Sequence, residues 1–157
     1  MTDQKPQVAI LVGSTSDLDV MNKAGEVLDR FEVPYELHVK SAHRTPEDVD
    51  QYVRNSEQLG VKVFICAAGM AAHLAGAVAA RTALPVIGVP LSSKHLGGAD
   101  ALYATVQMPK GVPVATVAID GAQNAAILAC QILGAGDEKL RHKLLEFKRD
   151  LSEGLKL

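Results

Sequence analysis

Short apolar runs alternating with helix-length segments constrain this chain more than any other feature. The first run, Val8-Ala9-Ile10-Leu11-Val12, is continuous and rich in β-branched residues, as a strand buried on both faces requires. Tyr35–Lys40, Val61–Ala67, Leu84–Val89 and Pro113–Ile119 read as four further strands. Between the first two, Val20, Met21, Ala24, Val27, Leu28 and Phe31 fall at helical spacing and predict a helix over about 17–31. Ser16 is placed to cap it, with Asp17 and Asp19 in its positive first turn. Thr45 as N-cap, Pro46 at the first helical position and Asp48 open a second helix, which Gly60 ends. Nine alanines between Ala67 and Ala83 predict a tightly packed helix over about 71–81. A short helix is expected near 100–105 and an Ala-rich one over 121–133. Beyond a Gly134-Ala135-Gly136 hinge, Leu140, Leu144, Phe147, Leu151 and Leu155 form one stripe of a C-terminal helix within 137–157.

This order predicts an α/β three-layer sandwich: a parallel sheet of about five strands, flavodoxin-like or Rossmann-like, with helices on both faces. The 157 residues suit a single domain, 1–157. The net charge of −2 and the absence of a block of like charges speak against a nucleic-acid groove or a membrane-surface patch. No apolar run approaches the roughly 18 residues of a transmembrane helix. Met1–Pro6 lacks the apolar stretch of a signal peptide. Cys66 and Cys130 stand among apolar neighbours and read as core residues of a cytoplasmic protein. Trp is absent and aromatic residues are 4%, which disfavours a base-stacking surface.

In open parallel sheets ligands bind beyond the carboxyl ends of the strands, so the loops there matter most. Gly13-Ser14-Thr15-Ser16-Asp17 opens a helix whose free N–H groups favour an anion, with Asp17 able to accept from sugar hydroxyls. The same segment also reads as a capped turn that binds nothing. In Ser41-Ala42-His43-Arg44-Thr45-Pro46, Arg44 sits against the preference of the helix dipole, which calls for an anion nearby. His43 is the neighbouring group suited to exchange a proton near neutral pH. The bland alternative is a solvated Arg and a His that helps the turn. In Ala67–Leu74, Ala68 and Gly69 permit close backbone approach, and His73 reads as a capping or core residue that lines the pocket. Leu91–Gly98 reads as a lid with Lys94 as an anion partner, or as an exposed loop. Gln107–Pro113 is a second lid or a subunit contact. His38 and His142 have no convergent partners. No metal spacing and no nucleophile elbow occur.

Together these segments resemble one family. Gly13-Ser14-Thr15-Ser16-Asp17, Ser41-Ala42-His43-Arg44-Thr45-Pro46, Ala68-Gly69-Met70-Ala71-Ala72-His73-Leu74 and Val106-Gln107-Met108-Pro109 are similar, in order and spacing, to the signature segments of the class I N5-carboxyaminoimidazole ribonucleotide mutases of purine biosynthesis. The resemblance implies a ribonucleotide substrate, no cofactor, no metal and a homo-octamer. It implies that Ser14 and Arg44 hold the 5′-phosphate, aided by Ser16, and that Asp17 holds the ribose. It makes His43 the acid and base, with Ser41, Ala68 and Gly69 shaping a carboxylate pocket that His73 supports. The 137–157 helix is then expected at a subunit boundary. Met70, Ala75 and a short Asp120-Gly121-Ala122 loop depart from the pattern. The rivals are a class II aminoimidazole ribonucleotide carboxylase, which resembles this chain less at Arg44 and at Ala72-His73, and a non-catalytic nucleotide-binding module.

Overall fold

Strand β1, Val8–Val12, is buried along its whole length. In the computed structural model, which describes residues 4–157, it pairs in parallel with β2, Tyr35–Val39, on one side and β3, Val63–Gly69, on the other. Residues 1–3, within the Met1–Pro6 segment read above for a signal peptide, lie outside the described residues. Next to β3 run β4, Val86–Leu91, and β5, Ala115–Thr116, giving the parallel order β2-β1-β3-β4-β5. That order is the doubly wound, flavodoxin-like one, with its switch point between β1 and β3.

The pleat sends alternate residues to opposite faces, and both faces are covered. Val8, Ile10, Val12, Val63 and Ile65 pack against α1 (Leu18–Arg30), α5 (Ala122–Gly134) and α6 (Glu138–Ser152). Ala9, Leu11, Phe64 and Cys66 pack against α2 (Pro46–Leu59) and α3 (Leu74–Ala79). Helix α4, Ala99–Val106, presses on β4 at Gly88, where a Cβ would lie 2.3 Å from Thr105 Cγ2. Only glycine admits the helix there. Cys66 and Cys130 are free and buried, and burial pushes both thiols well above their usual range.

Several expectations are corrected. Ser14, not Ser16, is the cap: its Oγ accepts from Ser16 N at 3.4 Å and closes a 3-10 turn, Thr15–Asp17, ahead of α1. Thr45 stands at the N-cap of α2, but its hydroxyl donates to Ser41 O at 3.1 Å and accepts from Ser41 N at 3.0 Å. It closes the preceding loop instead of the helix. The third helix starts at Leu74 rather than at 71. Met70 takes φ +52, and tight turns from Ala72 N to Met70 O and from His73 N to Ala71 O come first. The fifth strand is regular over Ala115–Thr116 only. Its continuation stays beside β4 through single bonds, Val117 N to Gly88 O at 3.1 Å and Asp120 N to Pro90 O at 2.9 Å.

The C-terminal stripe finds its partner within the chain. Asp137 caps α6 by accepting from Leu140 N at 3.1 Å. Leu140, Leu144 and Phe147 are buried, and the Phe31 and Phe147 rings meet edge to face at 5.4 Å. The apolar face expected at a subunit boundary is thus largely consumed on its own sheet, and α6 leaves Leu145 and Leu151 exposed.

Candidate active site

The loops leaving β1, β2, β3 and β4 meet at the carboxyl edge of the sheet around a cleft of about 540 Å³. Ser14, Ser16, Asp17, Ser41, His43, Arg44, Ala68, Gly69 and His73 all line it, together with Met70, Leu74, Ser92 and Ser93. The β1–β2 and β1–β3 registers bring the first three loops side by side, although they lie about thirty residues apart in sequence.

Arg44 joins two of these loops. Its Nη2 donates to Gly13 O at 2.6 Å and its Nε to Ser41 Oγ at 3.3 Å. Ser41 Oγ also accepts from Arg44 N at 3.2 Å. A guanidinium has further N–H groups beyond these, held in a planar fork, so the fixed head remains able to take an anion. Asp17 stands on the β1 side of the cleft. Burial holds its carboxyl above the usual carboxylate range; hydrogen bonds from Ser16 and the Ser14 backbone, and the Arg44 charge, oppose that rise.

His43 does not stand alone. Its Nε2 lies 2.8 Å from His73 Nδ1, with the rings edge to face at 4.8 Å. At that distance one nitrogen donates and the other accepts, because protons on both would set two donors against each other. The pair therefore passes through at most one charged ring in this geometry. His73 occupies the N-cap position of α3 yet makes no side-chain cap bond, so the capping reading is corrected. The sequence carries no signal that would join two histidines thirty positions apart.

Ser92 and Ser93 were hidden inside the proposed lid. The structure puts these residues, not Lys94, on the cleft. Gln107–Pro113 does not line the cleft either. His38 lies 3.2 Å from Glu36 and stacks obliquely on Tyr52 at 5.1 Å, which binds β2 to α2. His142 faces Glu138 on α6 at 3.8 Å. Among the described residues no group of His, Cys, Asp or Glu is placed to hold a metal ion.

The family model for AIR carboxylase matches residues 7–154. The chain belongs to the AIR carboxylase family. Within it, the chain is 52% identical over 151 residues to the N5-carboxyaminoimidazole ribonucleotide mutase of Pyrococcus horikoshii, covering 96% of this chain and 85% of that protein. It is 52% identical over 151 residues to the mutase of Bacillus subtilis, covering 95% of this chain and 93% of that one. A phosphoribosylaminoimidazole carboxylase of Schizosaccharomyces pombe is 51% identical over 150 residues, but the chain spans 27% of its length. A crystal structure of Treponema denticola PurE superposes with a TM-score of 0.87 at 31% identity, covering 94% of this chain and 92% of that one. That superposition shows the same fold in the two chains.

Proposed function

We propose that this chain is an N5-carboxyaminoimidazole ribonucleotide mutase, an isomerase of purine biosynthesis. The His43–His73 pair, set 2.8 Å apart in a cleft that also carries Arg44 and Asp17, is the observation that supports it most. An isomerisation that gives and takes back one proton needs one group able to do both.

In this reading Arg44 and Ser14 take the 5′-phosphate, with Ser16 beside them at the 3-10 turn. Asp17 accepts from the ribose hydroxyls. His43 Nε2 is engaged by His73, so Nδ1 is the nitrogen left to meet the substrate. Protonated His43 gives its proton to the exocyclic nitrogen as the carbon–nitrogen bond of the carbamate breaks. Carbon dioxide and aminoimidazole ribonucleotide form. The ring carbon then attacks the trapped carbon dioxide, and neutral His43 removes the proton left on that carbon. Ser41, Ala68 and Gly69 shape the space for the carboxylate, and His73 orients His43. Atoms and protons balance over the cycle. The chain acts as one domain, in the cytoplasm, as a homo-octamer. Exposed Leu96, Tyr103 and Val106 around α4 supply apolar surface for neighbouring subunits, and a monomer by light scattering at micromolar concentration would remove the assembly claim.

The fate of a carbon-13 label tests the reaction. Substrate labelled at the carboxylate is turned over in excess unlabelled bicarbonate. Label kept in the product supports direct transfer. Label lost, with faster product formation from aminoimidazole ribonucleotide and carbon dioxide, replaces the mutase by a class II carboxylase. No product from either substrate leaves the binding module.

Asp17 yields a prediction with opposite signs for binding and stability. Burial disfavours its charged form, so the folded chain holds this proton to higher pH than the unfolded chain does. As pH rises past the ordinary carboxylate value the unfolded chain releases the proton first, and from there ionised Asp17 opposes folding. Below both values the proton is bound in either state and the effect vanishes. Asp17→Asn is therefore expected to melt higher than wild type at pH 7, with the gap closing in acid. Its KM rises about tenfold through loss of charged hydrogen bonds to the ribose. Melting curves at pH 4 and pH 7, with KM at neutral pH, check both signs.

A further inference from the structure

Asp120, which has been given no role so far, is bonded to Ser92 of the cleft wall. Its Oδ1 accepts from Ser92 N at 2.9 Å and its Oδ2 from Ser92 Oγ at 2.5 Å. Its own N donates to Pro90 O at 2.9 Å. Three bonds thus tie one residue of the 118–121 turn to the end of β4 and the start of the β4–α4 loop. The backbone at Asp120 is left-handed, φ +58, a region that Asp and Asn tolerate better than most residues. The loop's far end is pressed on the same turn. A Cβ on Gly98 would lie 2.8 Å from Ile119 Cγ2 and 3.1 Å from Ser92 Cα. Between these two anchors run Ser92 and Ser93, which line the cleft.

We propose that Asp120 is a positioning residue: its carboxylate latches the β4–α4 loop to the rim of the cleft and so keeps the cleft closed around the carbon dioxide released within it. The inference rests on the mutase reading. Carbon dioxide is small and uncharged, and no ion pair can hold it. Its retention depends on walls that stay in place. Displacement of a wall by about 1 Å costs on the order of a hundredfold in a positioned reaction. Both carboxylate oxygens of Asp120 are taken up by Ser92. Its hydrogen bonds to Ser92 account for its presence.

Asp120→Gly and Asp120→Asn separate the latch from the backbone. Both residues accept φ +58. Asn keeps an acceptor for Ser92 N and offers its amide to Ser92 Oγ, whereas Gly keeps neither. The readout is the fraction of carboxylate label lost to unlabelled bicarbonate per turnover. That fraction belongs to each active molecule, so a smaller folded population does not change it. Wild type and Asp120→Asn are expected to retain label alike. Asp120→Gly is expected to lose about ten times the wild-type fraction, with a raised KM. Ser92→Ala, which removes one of the three bonds, falls between them and serves if Asp120→Gly folds poorly. Equal retention in Asp120→Gly and Ser92→Ala, or a loss in Asp120→Asn as large as in Asp120→Gly, overturns the latch while leaving the mutase standing. No turnover by wild type overturns the mutase reading and the latch with it.

Discussion

Asn in place of His43 is expected to lower kcat about a thousandfold, the middle of the range for removal of a positioned acid–base group. Asn is close in size to the near half of imidazole and keeps a polar head, so the walls of the cleft stay. It neither holds nor releases a proton between pH 5 and 8. Both halves of the cycle fail together, because the group that protonates the departing nitrogen is the group that deprotonates the ring carbon. KM is expected to stay within about threefold, since a group acting only in the transition state contributes little to ground-state binding. Steady-state kinetics with the ribonucleotide, and binding of the same substrate by calorimetry, separate the two terms. Near-normal turnover in His43→Asn would remove His43 as proton carrier and assign the proton transfer to another group.

The second large effect is at Arg44. Arg44→Gln removes the charge and the forked head together, and with them the tie to Gly13 O at 2.6 Å. Charge-assisted contacts are the strong ones. Losing two such bonds to a phosphate, at about 1.5 kcal/mol each, costs about a hundredfold in kcat/KM. Salt supplies the signature. Wild-type kcat/KM is expected to fall with ionic strength, and that slope flattens in Arg44→Gln because the screened attraction is already gone. Arg44→Lys restores the slope but not the full rate, since a point charge cannot reproduce the fork. An unchanged slope in Arg44→Gln would move the phosphate elsewhere in the cleft.

The elements legible in the sequence were those whose signal is local. Val8–Val12 is a strand by its unbroken apolar run rich in β-branched residues, and Pro46 and Gly60 bracket α2 because each acts on its own backbone. Arg44 betrayed itself by standing at the positive end of a helix. The rest depended on contacts distant in sequence. His73 reads as a lone histidine until β1, β2 and β3 set its loop against that of His43. The latch joins Ser92 to Asp120 across twenty-eight positions, and neither residue belongs to a recognisable pattern. The stripe on α6 was correctly apolar, but periodicity says which face is buried and not against what, and Phe31 answered that within the same chain. The late start of α3 follows from the left-handed turn at Met70, which no propensity of Met foretells.

The cleft is assembled from strand ends that run from Gly13 to Ser93, and its latch comes later still, at Asp120. Strand β3 pairs with the edge of β1 opposite β2, and that pairing sets His73 against His43. No fragment from the N-terminal half holds both His43 and the whole rim. On the ribosome, then, the rim is completed only once the chain has been made as far as Asp120.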